Sequence, residues 1–366
     1  MPMLMDRQRQ RLNALTFTMP QLRFDHLDCL LTNIGLWQHA EGCRPHQRHG
    51  YSIDDEARGL IVGLGYWRSG ADPAFQGRLA QTCFHFIEEA AIAAGPSVGR
   101  YHNFCDAEGR WLDPVGSDDS FGRTLWGLGV ACATNAPFAP RSSAEPLLRR
   151  SLSAVPSMDP HYLRAKAFVI LGLAAARIAD DVTRSLALDL ASAYEASATE
   201  DWHWFEDGMT YCNARLPQAL FAAAHLFPNE AGFARIATES LDFLLKKTRN
   251  GQGSYDPVGN DRLTTAYWYT RQDSRPPRFD QQPVDAGALV ECCAEAWRAT
   301  GEPRFRQAAR DAFSWYFGSN AHGLPVYNPE TGGVSDALTR GGLNRNHGAE
   351  SALSVHLAHQ ALQTIG

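Results

Sequence analysis

One pattern constrains what this 366-residue chain can become. A charged amphipathic helix, a loop rich in Gly, Asp and aromatics, and a helix of small and apolar residues follow one another six times. The small-residue segments span approximately 54–69, 119–133, 160–178, 211–227, 284–300 and 348–364. The amphipathic ones span approximately 22–34, 74–94, 141–155, 181–198, 231–248 and 303–318. The first set carries few charges beyond its opening turn, as a helix packed on most sides should, whereas the second keeps Lys246, Lys247, Arg306 and Arg310 for water. Helix starts are marked by Asp119 or Ser120, by Asp159-Pro160 and by Asp72-Pro73.

Six such pairs bury every small-residue helix only by closing on themselves. This predicts an all-α (α/α)6 toroid of twelve helices over 22–366, preceded by an N-terminal extension, 1–21. An open helical solenoid is the competing arrangement. In the closed ring all outer-to-inner loops share one face, and the long ones are 35–53, 95–118, 199–210, 249–283 and 319–347. The return links, such as Ser69 to Asp72 and Thr300 to Glu302, are short. Loops beyond about 12–15 residues usually carry function, so one face is expected to be the working face. Short strands are expected only inside these loops, for example around Tyr267 to Tyr269.

Composition narrows the function classes. With 44% hydrophobic and 20% charged residues the chain is globular, and its net charge of −6 supplies no basic field for nucleic acid. No window reaches the roughly 18 apolar residues of a membrane span. Met1 to Pro20, with Asp6, Arg7, Arg9 and Arg11, lacks the apolar stretch of a signal peptide, which gives a cytoplasmic expectation. The eight cysteines form no CxxC pair and are expected to be free, buried thiols.

The residues that open the small-residue helices share one chemistry. They read Arg48-His49-Gly50-Tyr51-Ser52-Ile53-Asp54-Asp55, then Gly116-Ser117-Asp118-Asp119-Ser120, then Asp201-Trp202-His203-Trp204-Phe205-Glu206-Asp207 with Tyr211 and Asn213. Two more follow, Phe279-Asp280-Gln281-Gln282-Pro283-Val284-Asp285 and Asn344-Arg345-Asn346-His347-Gly348-Ala349-Glu350. A lone Asp119 or Asp285 is explained by helix capping. Capping does not require neighbouring acids accompanied by Trp, Tyr, His, Arg and amides at several equivalent positions. Sugar chemistry does: aromatic faces stack on pyranose rings, amides and charged forks hold hydroxyls, and two carboxyls move protons at the glycosidic bond.

Asp55 and Asp207 are the preferred acid/base pair, with Glu206 and Asp119 as substitutes. Arg48, His49, Tyr51, Asp54, Trp202, Trp204, Tyr211, Asn213, Asp280, Gln282, Asn346 and Glu350 are the expected sugar-binding residues. Glu200 to Pro217 is the richest segment, and the alternative for it is an aromatic plug sealing the barrel end. His39, His46, His49, His102, His203 and His347 show no HxxH or HExxH spacing, so no metal is expected. No cofactor motif of the GxGxxG type occurs, and neither Cys105 nor Cys212 is paired with a specific histidine.

From about Phe24 to Gly366 the chain resembles the six-hairpin glycosidase-like superfamily. More narrowly, HGYSIDDEARGL, WHWFEDGMTYCNARLPQAL, FDQQPVDAGALVE and NHGAESAL resemble the bacterial helical domain found fused to, or encoded beside, glycosyltransferases and mannoside phosphorylases. Glu56 and Asp285 depart from the residues expected there, Asn and Glu. The resemblance implies glycan processing, with acid and base at the barrel mouth, where Asp54, Asp55, Asp118, Asp119, Glu206 and Asp207 fall. An oligo- or polysaccharide substrate and association with a glycosyltransferase are the implied partners. The alternatives are a non-catalytic glycan-binding or scaffolding module, and a sugar epimerase using histidines as acid and base.

Overall fold

The computed structural model describes residues 19–67, 71–250, 253–261 and 266–366. Most of the expected extension, 1–18, and the link residue Ser69 lie outside the described residues. Twelve α-helices occur among those described. The inner six are α2 (Ile53–Gly65), α4 (Asp118–Ala133), α6 (Leu163–Ala176), α8 (Arg215–Leu226), α10 (Pro283–Thr300) and α12 (Ala349–Gln363). The outer six are α1 (Asp25–Leu30), α3 (Pro73–Ala90), α5 (Arg141–Ser151), α7 (Asp180–Ser197), α9 (Ala231–Lys247) and α11 (Pro303–Ser314). Each inner helix packs on the next, and α12 packs on α2, so the ring closes and the solenoid alternative is excluded.

Small residues set the spacing of the ring. A Cβ on Gly129 of α4 would lie 2.0 Å from the carbonyl oxygen of Gly172 on α6, and one on Gly172 would lie 2.2 Å from that of Leu125. Only glycine permits this backbone approach. The core fills both the ring and the space between its layers, as in Trp126 against Phe168 and Phe221 against Phe305. Of the cysteines, all free, Cys29 and Cys43 are exposed and Cys132 is half-buried, whereas the other five are buried as expected. No helix among the described residues is long and apolar enough to cross a membrane.

The long loops are sewn together on one face. Tyr51–Ser52 pairs antiparallel with Phe104–Cys105, and Gly208–Met209 with Tyr269–Thr270, close to the strand expected there. Bridges Gln281 to Leu338 and Glu41 to Asn346 join the fifth loop to the sixth and the sixth to the first.

Glu56 anchors this belt from below. Fully buried, it accepts the Leu36 N–H at 2.6 Å, and burial pushes its carboxyl up to about 8. A raised carboxyl lends stability that is complete below its ordinary value of 4.5 and is lost as pH rises toward about 8. Glu56→Gln is therefore expected to match the parent near pH 4.5 and to exceed its stability at pH 8, by roughly 1 kcal/mol or more, in urea unfolding across that range. Parallel curves would show that Glu56 does not titrate in the folded state.

Candidate active site

The acids that open the inner helices are not their caps. Ser52 Oγ accepts the Asp54 N–H at 3.3 Å, and Ser117 Oγ accepts the Ser120 N–H at 3.1 Å, so serine hydroxyls satisfy α2 and α4. Ser117, rather than Asp119 or Ser120, starts α4. No side chain caps α10, and Gly348 starts α12. The carboxyls are thereby left for another use, and arginines one turn deeper take it.

Arg58 and Arg123 stand four residues after Asp54 and Asp119, on the same helix faces. Arg123 Nη1 lies 3.0 Å from Asp54 and 2.5 Å from Asp119, and Arg58 lies 3.2 Å from Asp55 and 2.5 Å from Glu350 of α12. Each guanidinium thus joins two carboxylates, from neighbouring helices at Arg123 and from α2 and α12 at Arg58. Arg164 at the start of α6 holds Glu206 at 3.0 Å. Tyr211 closes the group: its hydroxyl donates to Asp119 at 3.0 Å, and its ring lies beneath Arg164 and Arg123, 5.2 and 5.9 Å from centroid to guanidinium. Deeper in the barrel, Arg215 pairs with Glu291 and lies 4.5 Å over Trp126.

Two carboxyls on this face, Asp55 and Asp285, are pushed above the usual carboxylate range. Burial drives Asp55 up against the opposing pull of Arg58, with Glu350, Asp54 and Glu56 adding to the rise. Burial lifts Asp285 to about 8, opposed by the peptide N–H groups of Cys212 and Asn213 and assisted by Glu350. One Asp285 oxygen has no hydrogen-bond partner among the described residues. Cys212, at φ 48°, takes the left-handed conformation that turns the chain into α8. Burial pushes its thiol up to about 12, which leaves no thiolate for nucleophilic chemistry.

Of the residues singled out from sequence, Asp54, Asp55, Asp119, Glu206, Tyr211 and Glu350 come together here. Others do not. Asp207 is 77% exposed and pairs with Arg271 at 2.7 Å, because the Gly208–Met209 strand turns it outward. Trp202 and Trp204 are buried against Phe243, with Trp202 Nε1 donating to the Glu206 carbonyl at 2.8 Å, so they form the plug rather than a sugar platform. Tyr51 is stacked on Trp37 in the core. Asn213 folds its amide back onto Thr210 as a turn lock. Arg48, His49 and Asn346 line a separate cleft. Asp280 and Gln282 are half-buried, and no hydrogen bond among the described residues joins either side chain to the carboxylate group.

Sequence reasoning missed the arginines, although acid-x-x-x-Arg at two inner helix starts was their signal. It also missed Tyr162, 58% exposed just before α6, and Phe104, 42% exposed on the loop face. Trp268, half-buried with its ring 6.2 Å from Tyr211, is a third missed aromatic.

No known family profile matches the sequence, and a search of curated proteins returns no match. Solved structures do match. A sugar epimerase from a ruminal bacterium superposes with a TM-score of 0.70 at 12% identity, covering 93% of this chain and 95% of that one. Cellobiose 2-epimerase from Bacillus thermoamylovorans gives 0.71 at 10% identity, covering 100% and 99%. The GH76 α-1,6-mannanase of Salegentibacter sp. gives 0.59 at 11% identity, covering 93% and 97%. The chain shares their (α/α)6 fold. An inactive variant of that mannanase, with two consecutive aspartates replaced by alanine, has been solved with α-1,6-mannotetrose.

Proposed function

We propose that the chain is a carbohydrate-active enzyme, a glycoside hydrolase working at the toroid mouth. The observation that carries this reading is convergence: carboxyls of α2, α4 and α12 meet around two arginines, and burial favours the protonated form of Asp55. Asp55 gives that proton to the glycosidic oxygen as the C–O bond breaks. Asp119, held by Arg123 and Tyr211, attacks the anomeric carbon or takes a proton from the attacking water. Asp54 and Glu350 complete the pairs, and the exposed faces of Tyr162 and Phe104 offer stacking surfaces for sugar rings. The consecutive aspartates inactivated in the mannanase have counterparts in kind here, Asp54-Asp55 and Asp118-Asp119.

Epimerisation is the second reading, favoured by the higher TM-scores of the two epimerases, 0.70 and 0.71 against 0.59. Against it, no hydrogen bond or ion pair among the described residues joins any of the 13 histidines to the carboxylate group. His356 and His359 instead bond to Tyr66, and His347 lies against His26 and Ser335. Incubation with a panel of mannose- and glucose-linked oligosaccharides, followed by product chromatography and proton NMR, separates the readings. New reducing ends are expected. Isomerised sugar with its linkages intact would establish the second reading, and unchanged substrates across the panel would reject both.

A further inference from the structure

A second cleft, of about 420 Å³, is lined by His39, Glu41, His46, Arg48, His49 and Arg345, together with Asn346. It is separate from the carboxylate group but linked to it. Asn346 Nδ2 donates to Asp336 at 2.5 Å, and the other Asp336 oxygen accepts the Gly348 N–H at 2.8 Å, two residues before Glu350.

The fixed charges around this cleft cancel. Arg345 pairs with Glu41 at 2.5 Å, Arg48 has no acidic partner among the described residues, and Asp336 lies 4.0 Å from His39 Nδ1. What varies with pH is His49. His39 and His49 meet edge to face at 4.7 Å, and His46 lies 6.3 Å from His49. Among the described residues no group of His, Cys, Asp or Glu is arranged to hold a metal ion.

Each bonded ring accepts at one of its nitrogens. His39 Nδ1 accepts from Asn346 at 2.7 Å, and His49 Nε2 accepts from Arg48 Nε at 3.0 Å. Protonating His49 sets one donor against another, breaks that bond and releases the guanidinium. An oxyanion then offers acceptors to imidazolium and guanidinium together and relieves their mutual repulsion. Partial burial, followed by repulsion from His39, Arg48 and His46, already holds His49 below its ordinary value.

We propose that this cleft is a proton-linked oxyanion site that takes the carboxylate or phosphate of an acidic sugar beside the mouth. The sugar half of the proposal rests on the glycan reading above; the anion half does not.

Sulfate keeps a constant charge between pH 5.5 and 8, so its binding isolates titration of the protein. By calorimetry on the whole chain, sulfate affinity is expected to rise at least about tenfold from pH 8 to pH 5.5. Arg48→Met is expected to weaken it about tenfold at pH 5.5. His49→Gln is expected to remove the pH dependence. These side chains are half-buried or exposed, and far-UV circular dichroism checks that each variant stays folded. Glucuronate and a hexose phosphate, each compared with glucose, then tell carboxylate from phosphate. Equal sulfate affinity at the two pH values, or affinity unmoved by either variant, overturns the anion site. Acidic sugars that bind no more tightly than sulfate overturn the sugar half alone. Loss of the hydrolase reading would leave the sulfate result untouched.

Discussion

Asp55→Asn is expected to lower glycan turnover by about 10²–10⁴-fold while leaving the unfolding midpoint nearly unchanged. The parent side chain is 5% exposed and burial favours its protonated form, whose shape Asn reproduces beside Arg58. What Asn lacks is the transferable proton. Asp207→Asn provides the contrast: that side chain is 77% exposed and faces Arg271, and its replacement should leave turnover unchanged. Steady-state rates on the best oligosaccharide decide the matter. Equal rates for Asp55→Asn and the parent would remove Asp55 as proton donor, and a collapse in Asp207→Asn would restore Asp207 to the chemistry.

Arg123→Ala is expected to cost stability as well as activity. The guanidinium, 5% exposed, joins Asp54 to Asp119 and lies 4.6 Å over the Phe168 ring. Removing one partner of a buried ion pair typically costs about 3–5 kcal/mol. The low end applies here, because the two carboxylates keep 24% and 23% of their surface in water. Arg123→Lys should recover only part of the loss, since an ammonium gives up the stacking of the planar guanidinium over the Phe168 ring. Urea unfolding of the three proteins measures both differences. An Arg123→Ala protein as stable as the parent would mean that the junction of α2 and α4 is held by apolar packing alone.

The ring was legible in the sequence because alternation of small-residue and amphipathic helices is a global pattern that no single residue disturbs. The helix ends were less so. Tyr211 to Ala214 continue the apolar period of α8, yet Cys212 takes a left-handed turn and the helix begins at Arg215. Within the site, Asp55, Asp119 and Glu350 could be found because acids recur at equivalent starts. Arg58 and Arg123 could not, because an acid followed four residues later by arginine reads as a solvent-facing ion pair until closure turns that face inward. Trp202 and Trp204 misled through an assumption of extended chain, in which neighbouring positions alternate in direction. The segment instead curls at Thr199 to Trp202 and sends both indoles into the core. Asp207 misled for the converse reason, since a strand edge one residue later sets its direction, and that edge pairs with a loop some sixty residues away in the chain.

The junction between α2 and α12 has a bearing on how the protein is made. Arg58 reaches Glu350 across 292 positions of chain, Tyr66 bonds to His359 at 2.9 Å, and Gln360 to the Val62 carbonyl at 2.8 Å. A ribosome must therefore deliver the 292 positions between these two residues before α2 meets α12. Until then the greasy flank of α2 stays uncovered, a liability for the nascent chain that holdase chaperones are suited to shield. The Arg58 pair cannot be completed early either, because Glu350 is supplied by α12.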